Sequence, residues 1–172
     1  MKQRIVGVVL VVCGGFGVPV ASAAPPAGGA GAPYYVGAGG SLNSVSGSDY
    51  GLGVQVFGGY DLGSVNAVRF AVEAGYLDTG RMDYSGSVTA PAGSLGSSSA
   101  RARGLWATGL GRVPVSKDVE ILGRLGLDFG DDDGVVVGVG AAFNGNRRTQ
   151  FRAEFVVRDH VDSIQVNVTY RP

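Results

Sequence analysis

The stretch that decides the fold is VRFAVEAGYLDTGRM, residues Val68–Met82. Arg69 and Glu73 are charged residues within an apolar, β-prone run, and an even number of positions separates them. Successive side chains of a β-strand point to opposite faces, so these two residues share one face. The other face is apolar and consists of Val68, Phe70, Val72, Ala74 and Tyr76. Fold and function both depend on which of the two faces points inward.

The same two-residue period continues along most of the chain, and helical spacing is nearly absent. Eight segments follow it, and each is close to the roughly 9–11 residues that a tilted strand needs to cross a bilayer. They are Tyr34–Leu42, Leu52–Tyr60, Ala67–Leu77, Arg101–Val113, Val119–Leu127, Val135–Phe143, Gln150–Val157 and Ser163–Tyr170. The connection at 61–66 is predicted to be a short turn, and the connection at 78–100 a long Gly/Ser-rich loop.

Two features place the apolar face outward. The polar face carries many small residues, and only 16% of the chain is charged, whereas a solvated face is usually dense in charge. The apolar face ends in aromatic residues, as lipid-facing strands do at the membrane interfaces. These are Tyr60, Tyr76, Phe129, Phe143 and Tyr170. We therefore predict an all-β fold over 34–172, an eight-stranded antiparallel up-and-down transmembrane β-barrel. A soluble periplasmic lipid-binding barrel or sandwich, which also alternates, is the other fold considered.

The N-terminus has the pattern of a secretory signal peptide. Lys2 and Arg4 form a basic start, Ile5–Val20 is apolar, and Ala21–Ala23 reads as an A-x-A cleavage site. We expect residues 1–23 to be the signal peptide and the protein to reach the outer membrane. Residues 24–33 (APPAGGAGAP) are expected to be a flexible leader.

Composition limits the chemistry. Cys13 is the only cysteine and lies in the predicted signal peptide, so no disulfide or cysteine-based site is expected. The formal net charge is zero, and no field attracts nucleic acid. We expect a monomer whose partners are outer-membrane lipids and lipopolysaccharide, and the sequence does not identify partners of the outer loops.

Several stretches resemble the eight-stranded transmembrane domain of the OmpA family, without its peptidoglycan-binding domain. They are VEAGYLDTGRMDYSGSV (Val72–Val88), DVEILGRLGL (Asp118–Leu127), FRAEF (Phe151–Phe155) and VTYR (Val168–Arg171). The resemblance implies a barrel whose lumen is closed by paired acidic and basic side chains. It also places the family's fourth-strand gate lysine at Gly109, so the gate itself is not carried over.

The candidate site is therefore a charge network in the lumen. Its members are Arg69, Glu73, Glu120, Arg124, Arg152 and Glu154. Charges buried in a narrow lumen must be paired, because desolvation costs several kcal/mol each. Two functions fit the network: a static plug in a structural or surface-interacting protein, or a narrow, low-conductance pore closed by interior salt bridges.

Other chemistry is weakly indicated. Asp128–Asp133 lacks the spacing of a calcium loop, and we expect a solvated loop without metal. His160 stands three residues before Ser163, which raises the alternative of a lipid-A-modifying enzyme. A nucleophile and its base need a hydrogen bond and an orienting third group, and no such motif is present. We expect no catalytic residue, no cofactor and no metal site, and hence no enzyme.

Overall fold

Antiparallel pairing of strands that follow one another in the chain organises the computed structural model. It describes residues 32–45, 50–83 and 99–172, so the predicted signal peptide and most of the leader lie outside the described residues. The strands are β1 (Tyr34–Ser44), β2 (Gly51–Val65), β3 (Val68–Asp78), β4 (Met82–Asp83), β5 (Ser99–Ala100), β6 (Arg103–Pro114), β7 (Val119–Gly130), β8 (Gly134–Asn144), β9 (Thr149–Val157) and β10 (Asp162–Tyr170).

Eight of these strands close a barrel in the order β1-β10-β9-β8-β7-β6-β3-β2. β1 closes the ring by pairing with β10 from Val36, opposite Tyr170, to Ser44, opposite Asp162. The short strands β4 and β5 form a separate ribbon beyond β3 and β6. Closure leaves no barrel strand with an unpaired edge, which is what a sheet in hydrocarbon requires. The predicted eight-stranded antiparallel barrel is confirmed.

The polar face points into the barrel. In β3, Glu73 is 3% exposed, whereas Phe70, Val72 and Tyr76 on the other face are 41%, 45% and 42% exposed. The same division holds around the ring, where buried polar residues alternate with exposed apolar ones. A soluble barrel has the opposite arrangement, because its apolar side chains leave water by pointing inward. The outer surface is therefore suited to lipid.

The aromatic residues predicted to form girdles all lie on the outer face, with exposures of 42% to 53%. Tyr170 ends β10, and Phe143 and Phe129 are the last residues but one of β8 and β7. Tyrosine and phenylalanine at these positions can sit at the level of lipid head groups.

The largest difference between a predicted and an observed strand boundary is at the end of β2. We expected the connection after Tyr60 to be a turn at 61–66, but β2 continues to Val65 and only Asn66 and Ala67 form the turn. A bulge between Asp61 and Gly63 shifts the register there, and the positive φ of Gly63 (106°) permits it. In the described ranges no helix is long and apolar enough to cross a membrane.

The two ends of the barrel carry different connections. The turn end carries the start of β1, the end of β10 and the connections 66–67, 115–118 and 145–148. The loop end carries residues 79–83 and 99–102 and the connections 131–133 and 158–161.

Candidate functional site

The middle of the lumen is organised around the carboxylate of Glu73. The Tyr35 hydroxyl donates a hydrogen bond to Oε1 over 2.7 Å, and Arg152 Nη1 donates to the same oxygen over 2.5 Å. Arg124 Nη2 lies 3.3 Å from Oε2. The strands β3 and β9, which carry Glu73 and Arg152, occupy opposite positions in the ring of eight. The ion pair between them therefore crosses the whole width of the lumen.

Arg124 connects this carboxylate to a second one. Its Nη2 lies 2.6 Å from Glu154 Oε2, and Asn167 donates a hydrogen bond to Glu154 Oε1 over 3.1 Å. Gln55 continues the contacts by donating to Asn167 over 2.6 Å and to Gln165 over 2.8 Å. The layer contains two arginines and two glutamates, so its formal charge is zero. Mutual pairing is what makes such burial tolerable, since an unpaired buried charge is strongly destabilising.

Aromatic rings pack against the guanidinium groups of this layer. The Arg124 guanidinium carbon lies 5.2 Å from the ring centroid of Trp106. That of Arg152 lies 5.3 Å from the Tyr35 centroid and 5.9 Å from the Phe57 centroid. The rings of Phe57 and Trp106 are themselves 5.7 Å apart and tilted by 47°. Cations over aromatic faces within about 6 Å are attracted by the ring quadrupole, and more strongly when desolvated.

A second charged layer lies toward the turn end. Arg69 pairs with Glu120, and its side chain is 35% exposed while that of Glu120 is 2% exposed. Arg112 and Arg171 both pair with Asp61. Arg69 therefore belongs to this layer and not to the central one, although it lies on the same strand face as the central glutamate. The six residues of the predicted network divide into one pair near the turn end, Arg69 with Glu120, and one central group of four.

A third polar layer closes the loop end. Arg158 Nε donates to Asp128 over 2.6 Å, and Nη1 donates to the Ser163 hydroxyl over 3.1 Å. Ser163 in turn donates to Asn43 Oδ1 over 2.6 Å. Burial lowers the pKa of the Arg158 guanidinium. The side chain of Met82, which belongs to the separate β4–β5 ribbon, is fully buried at this end.

The aromatic core of the lumen was not predicted. Its buried cluster consists of Tyr35, Phe57, Ala71, Leu77, Trp106 and Leu110. Tyr35 pairs across strands with Gly59, where an added Cβ would overlap the tyrosine ring. At Gly75 an added Cβ would lie 2.6 Å from Phe57 Cβ and 2.8 Å from Trp106 Cζ2. Each of these glycines lies directly opposite an aromatic residue on the inner face, a pairing that only the strand register reveals.

The position matched to the family's gate lysine is wrong. Gly109 lies on the outer face, so no side chain there could reach the lumen. The inner residue of β6 opposite Glu73 is Thr108, which is 4% exposed. An offset of one residue moves a side chain to the other face of a strand, which explains the error.

His160 and Ser163 do not form a pair. His160 Nδ1 lies 2.8 Å from Asp132 Oδ1, and the histidine side chain is 78% exposed. Ser163 is 1% exposed and is engaged by the arginine and asparagine of the loop-end layer. Within the part of the chain that the structure describes, no three His, Cys, Asp or Glu side chains are grouped so as to hold a metal ion.

Arginines gather at the rim of the loop end beside β3 and β6. Arg101 donates two hydrogen bonds to Asp78, over 2.8 Å and 2.5 Å, and Arg103 Nε lies 3.1 Å from the same carboxylate. The hydrogen bond with Asp78 raises the pKa of the Arg101 guanidinium. Arg81 is also exposed and follows the same strand β3. Asp131 accepts a hydrogen bond from the backbone N–H of Arg103.

Comparisons with known proteins agree with this geometry. A family model described as an outer membrane protein beta-barrel domain matches residues 10–171. A de novo designed transmembrane β-barrel is 16% identical, with a TM-score of 0.51 over 81% of this chain and 94% of that chain. The outer membrane protein Ail of Yersinia pestis, in a phospholipid bilayer nanodisc, is 14% identical, with a TM-score of 0.51 over 81% and 98% of the two chains. A search of curated proteins gives no match. Identities this low show the fold alone.

Proposed function

The chain belongs to the family of outer membrane protein β-barrel domains, and on that premise we propose that it is a structural barrel whose filled lumen does not conduct. The observation that carries the proposal is the ion pair between Glu73 and Arg152, which joins strands on opposite sides of the ring. A side-chain bridge across the diameter obstructs the path that an ion would take.

The packing around this bridge favours a permanent plug rather than a gated pore. Tyr35, Phe57 and Trp106 fill space beside the ion pairs and are 3%, 6% and 2% exposed. Opening a path would require these rings to leave a packed interior together with the charges. Small barrels of eight strands have interiors just wide enough for side chains to fill, in agreement with a plug. The six charged residues that the alternation places in the lumen would form part of the plug, because pairing allows their charges to stay buried there.

The outer-membrane position itself is part of the proposal for this chain. We propose that residues 1–23 direct export, that the turn end faces the periplasm, and that the protein is a monomer among lipopolysaccharide and phospholipid. Support comes from the apolar outer face and its aromatic ends. Membrane fractionation, followed by gels of heated and unheated samples, tests this. A folded barrel migrates differently before heating, and a protein in the soluble fraction with one band would contradict the placement.

A role without catalysis fits the described side chains better than an enzyme acting on lipid A. His160 is bonded to Asp132, and Ser163 is buried in a separate set of hydrogen bonds. A serine nucleophile needs its base within hydrogen-bond reach. Lipid A extracted from cells that overproduce the protein should be unchanged, and a shortened or extended acyl pattern would favour the enzyme.

Planar-bilayer recording tests the plug directly. The wild-type barrel should give no single-channel events, whereas Glu73→Ala combined with Arg152→Ala removes the bridge and should give openings. Asp78→Ala is the matched control, because it removes a carboxylate that pairs with arginine at the rim and not across the lumen. Steady openings of the wild-type barrel would refute the plug and favour the narrow pore.

A further inference from the structure

A groove of about 750 Å³ lies on the outer, lipid-facing side of β2, β3 and β6. Most of the residues that line it have apolar side chains or none. Its floor is formed by Gly58, Ala74 and Ala107, which we call the outer trough. The three residues pair in one hydrogen-bonded row, Gly58 with Ala74 and Ala74 with Ala107. Because their side chains are small, the barrel surface is depressed along this row.

Larger side chains border the trough on the side of the loop end. Val56, Tyr76 and Leu105 form the next row, and Phe129 of β7 continues it. These four side chains are 42% to 61% exposed, so they stand out from the surface. Rows on one face of a sheet are separated by two residues, or roughly 7 Å. An apolar depression whose floor is one such row wide has room for a hydrocarbon chain.

The arginines of the rim lie beyond this ridge, on the side of the loop end. Arg103, Leu105 and Ala107 are successive outward positions on β6, so a charged side chain, a ridge and the trough follow one another. Arg101 and Arg103 are 38% and 46% exposed while sharing one carboxylate, that of Asp78. Guanidinium groups recognise phosphate through paired N–H donors.

From this arrangement we propose a site for one phosphorylated lipid of the outer leaflet. Its phosphate is held at Arg101 and Arg103, and one acyl chain lies in the outer trough. The site rests on the proposed outer-membrane placement, in which the turn end faces the periplasm and the loop end faces the cell exterior. Among the described residues, Arg101 and Arg103 share the one carboxylate of Asp78, so N–H donors are left over that favour an anionic head group as the occupant.

A second copy of the chain fits the groove less well. A two-fold contact places the same patch of both molecules face to face, so the two arginine rims would approach each other. Like charges brought together at an interface oppose association.

Native mass spectrometry of the folded full chain in detergent tests the site, with lipid A and its dephosphorylated form as probes. Filling the trough with Ala107→Phe should weaken lipid A binding by about tenfold, or 1.4 kcal/mol. Ala153→Phe is the matched control, because Ala153 is an outward alanine on β9 that pairs with Ala141. It should leave binding unchanged.

The head-group half is tested by Arg101→Gln with Arg103→Gln. This pair should reduce lipid A binding by about tenfold and leave the weak binding of the dephosphorylated lipid as it was. Arg147→Gln with Arg148→Gln removes two exposed arginines at the turn end and serves as the control. Equal binding of both lipids by the wild-type protein would overturn the phosphate contact.

The remaining outcomes also decide. Equal lipid A affinity of the Ala107→Phe and Ala153→Phe variants would overturn the trough. A dimer that disappears only with Ala107→Phe would identify a second copy as the occupant and overturn the lipid. Heat-dependent gel migration of each variant shows that it has folded. Conductance of the wild-type barrel would refute the plug alone. A non-conducting barrel that binds lipid A and its dephosphorylated form equally well would refute this site alone.

Discussion

Removing the carboxylate of Glu73 should destabilise the barrel more than any change at its rim. Glu73 is 3% exposed and receives hydrogen bonds from Tyr35, Arg152 and Arg124. In Glu73→Ala the central layer changes from two positive and two negative charges to two positive and one negative. Arg124 keeps Glu154, but Arg152 loses its only carboxylate partner within 4 Å among the described residues.

The expected magnitude follows from that geometry. Removing one partner of a buried ion pair typically costs about 3–5 kcal/mol, because the other charge stays desolvated without compensation. Asp78→Ala breaks ion pairs with Arg101 and Arg103, but both arginines are exposed at the rim. Exposed pairs are worth about 0–1 kcal/mol, so this control should differ little from wild type.

Equilibrium unfolding by urea in phospholipid vesicles measures both variants. In Glu73→Ala with Arg152→Ala, the unpaired arginine is gone, so the double variant should be less destabilised than the sum of the two single ones. A loss below about 1 kcal/mol for Glu73→Ala would refute the reasoning, since it would mean that the central charges are solvated.

Three further predictions follow from other parts of the barrel. Phe155→Arg places a charge on the lipid face near the middle of the strands and should cost about 2–4 kcal/mol in the same unfolding assay, with Phe155→Leu as control; equal stability of the two would contradict the outward orientation. Gly59→Ala should cost about 1–3 kcal/mol because its Cβ would overlap the Tyr35 ring, whereas at Gly58 the nearest atom to an added Cβ is 3.9 Å away and Gly58→Ala should be tolerated. Similar losses for the two glycine variants would argue against the aromatic packing. Trp106, the only tryptophan, is 2% exposed and should be shielded from acrylamide quenching until the barrel unfolds; strong quenching in the folded state would mean that the lumen is open to water.

Much of the fold could be predicted because the decisive signal is local. The two-residue alternation of β3 assigns Arg69 and Glu73 to one face without knowledge of any other strand. The eight segments, the closed sheet and the outward apolar face follow from the same signal repeated along the chain. The extension of β2 to Val65 was missed because it depends on a bulge at Gly63, which alternation does not reveal.

The contacts inside the lumen were harder to predict. Alternation placed the charged residues on the inner face, but it did not show which of them meet. Arg69 pairs with Glu120, and Glu73 pairs with Arg152 of a strand on the opposite side. The aromatic core was missed for the same reason, since Tyr35 and Gly59 are neighbours only through strand pairing.

By itself, the sequence determined that the chain forms strands, how many of them cross the membrane, and which face of each strand meets lipid. The reason is that the side-chain period is a property of each strand alone. Only the tertiary structure decided the partners of each buried charge, the ring packing beside them and the trough on the outer face. Those features depend on the relative register of strands and on closure of the ring, which bring together residues up to 79 positions apart, as in the bond from Arg152 to Glu73.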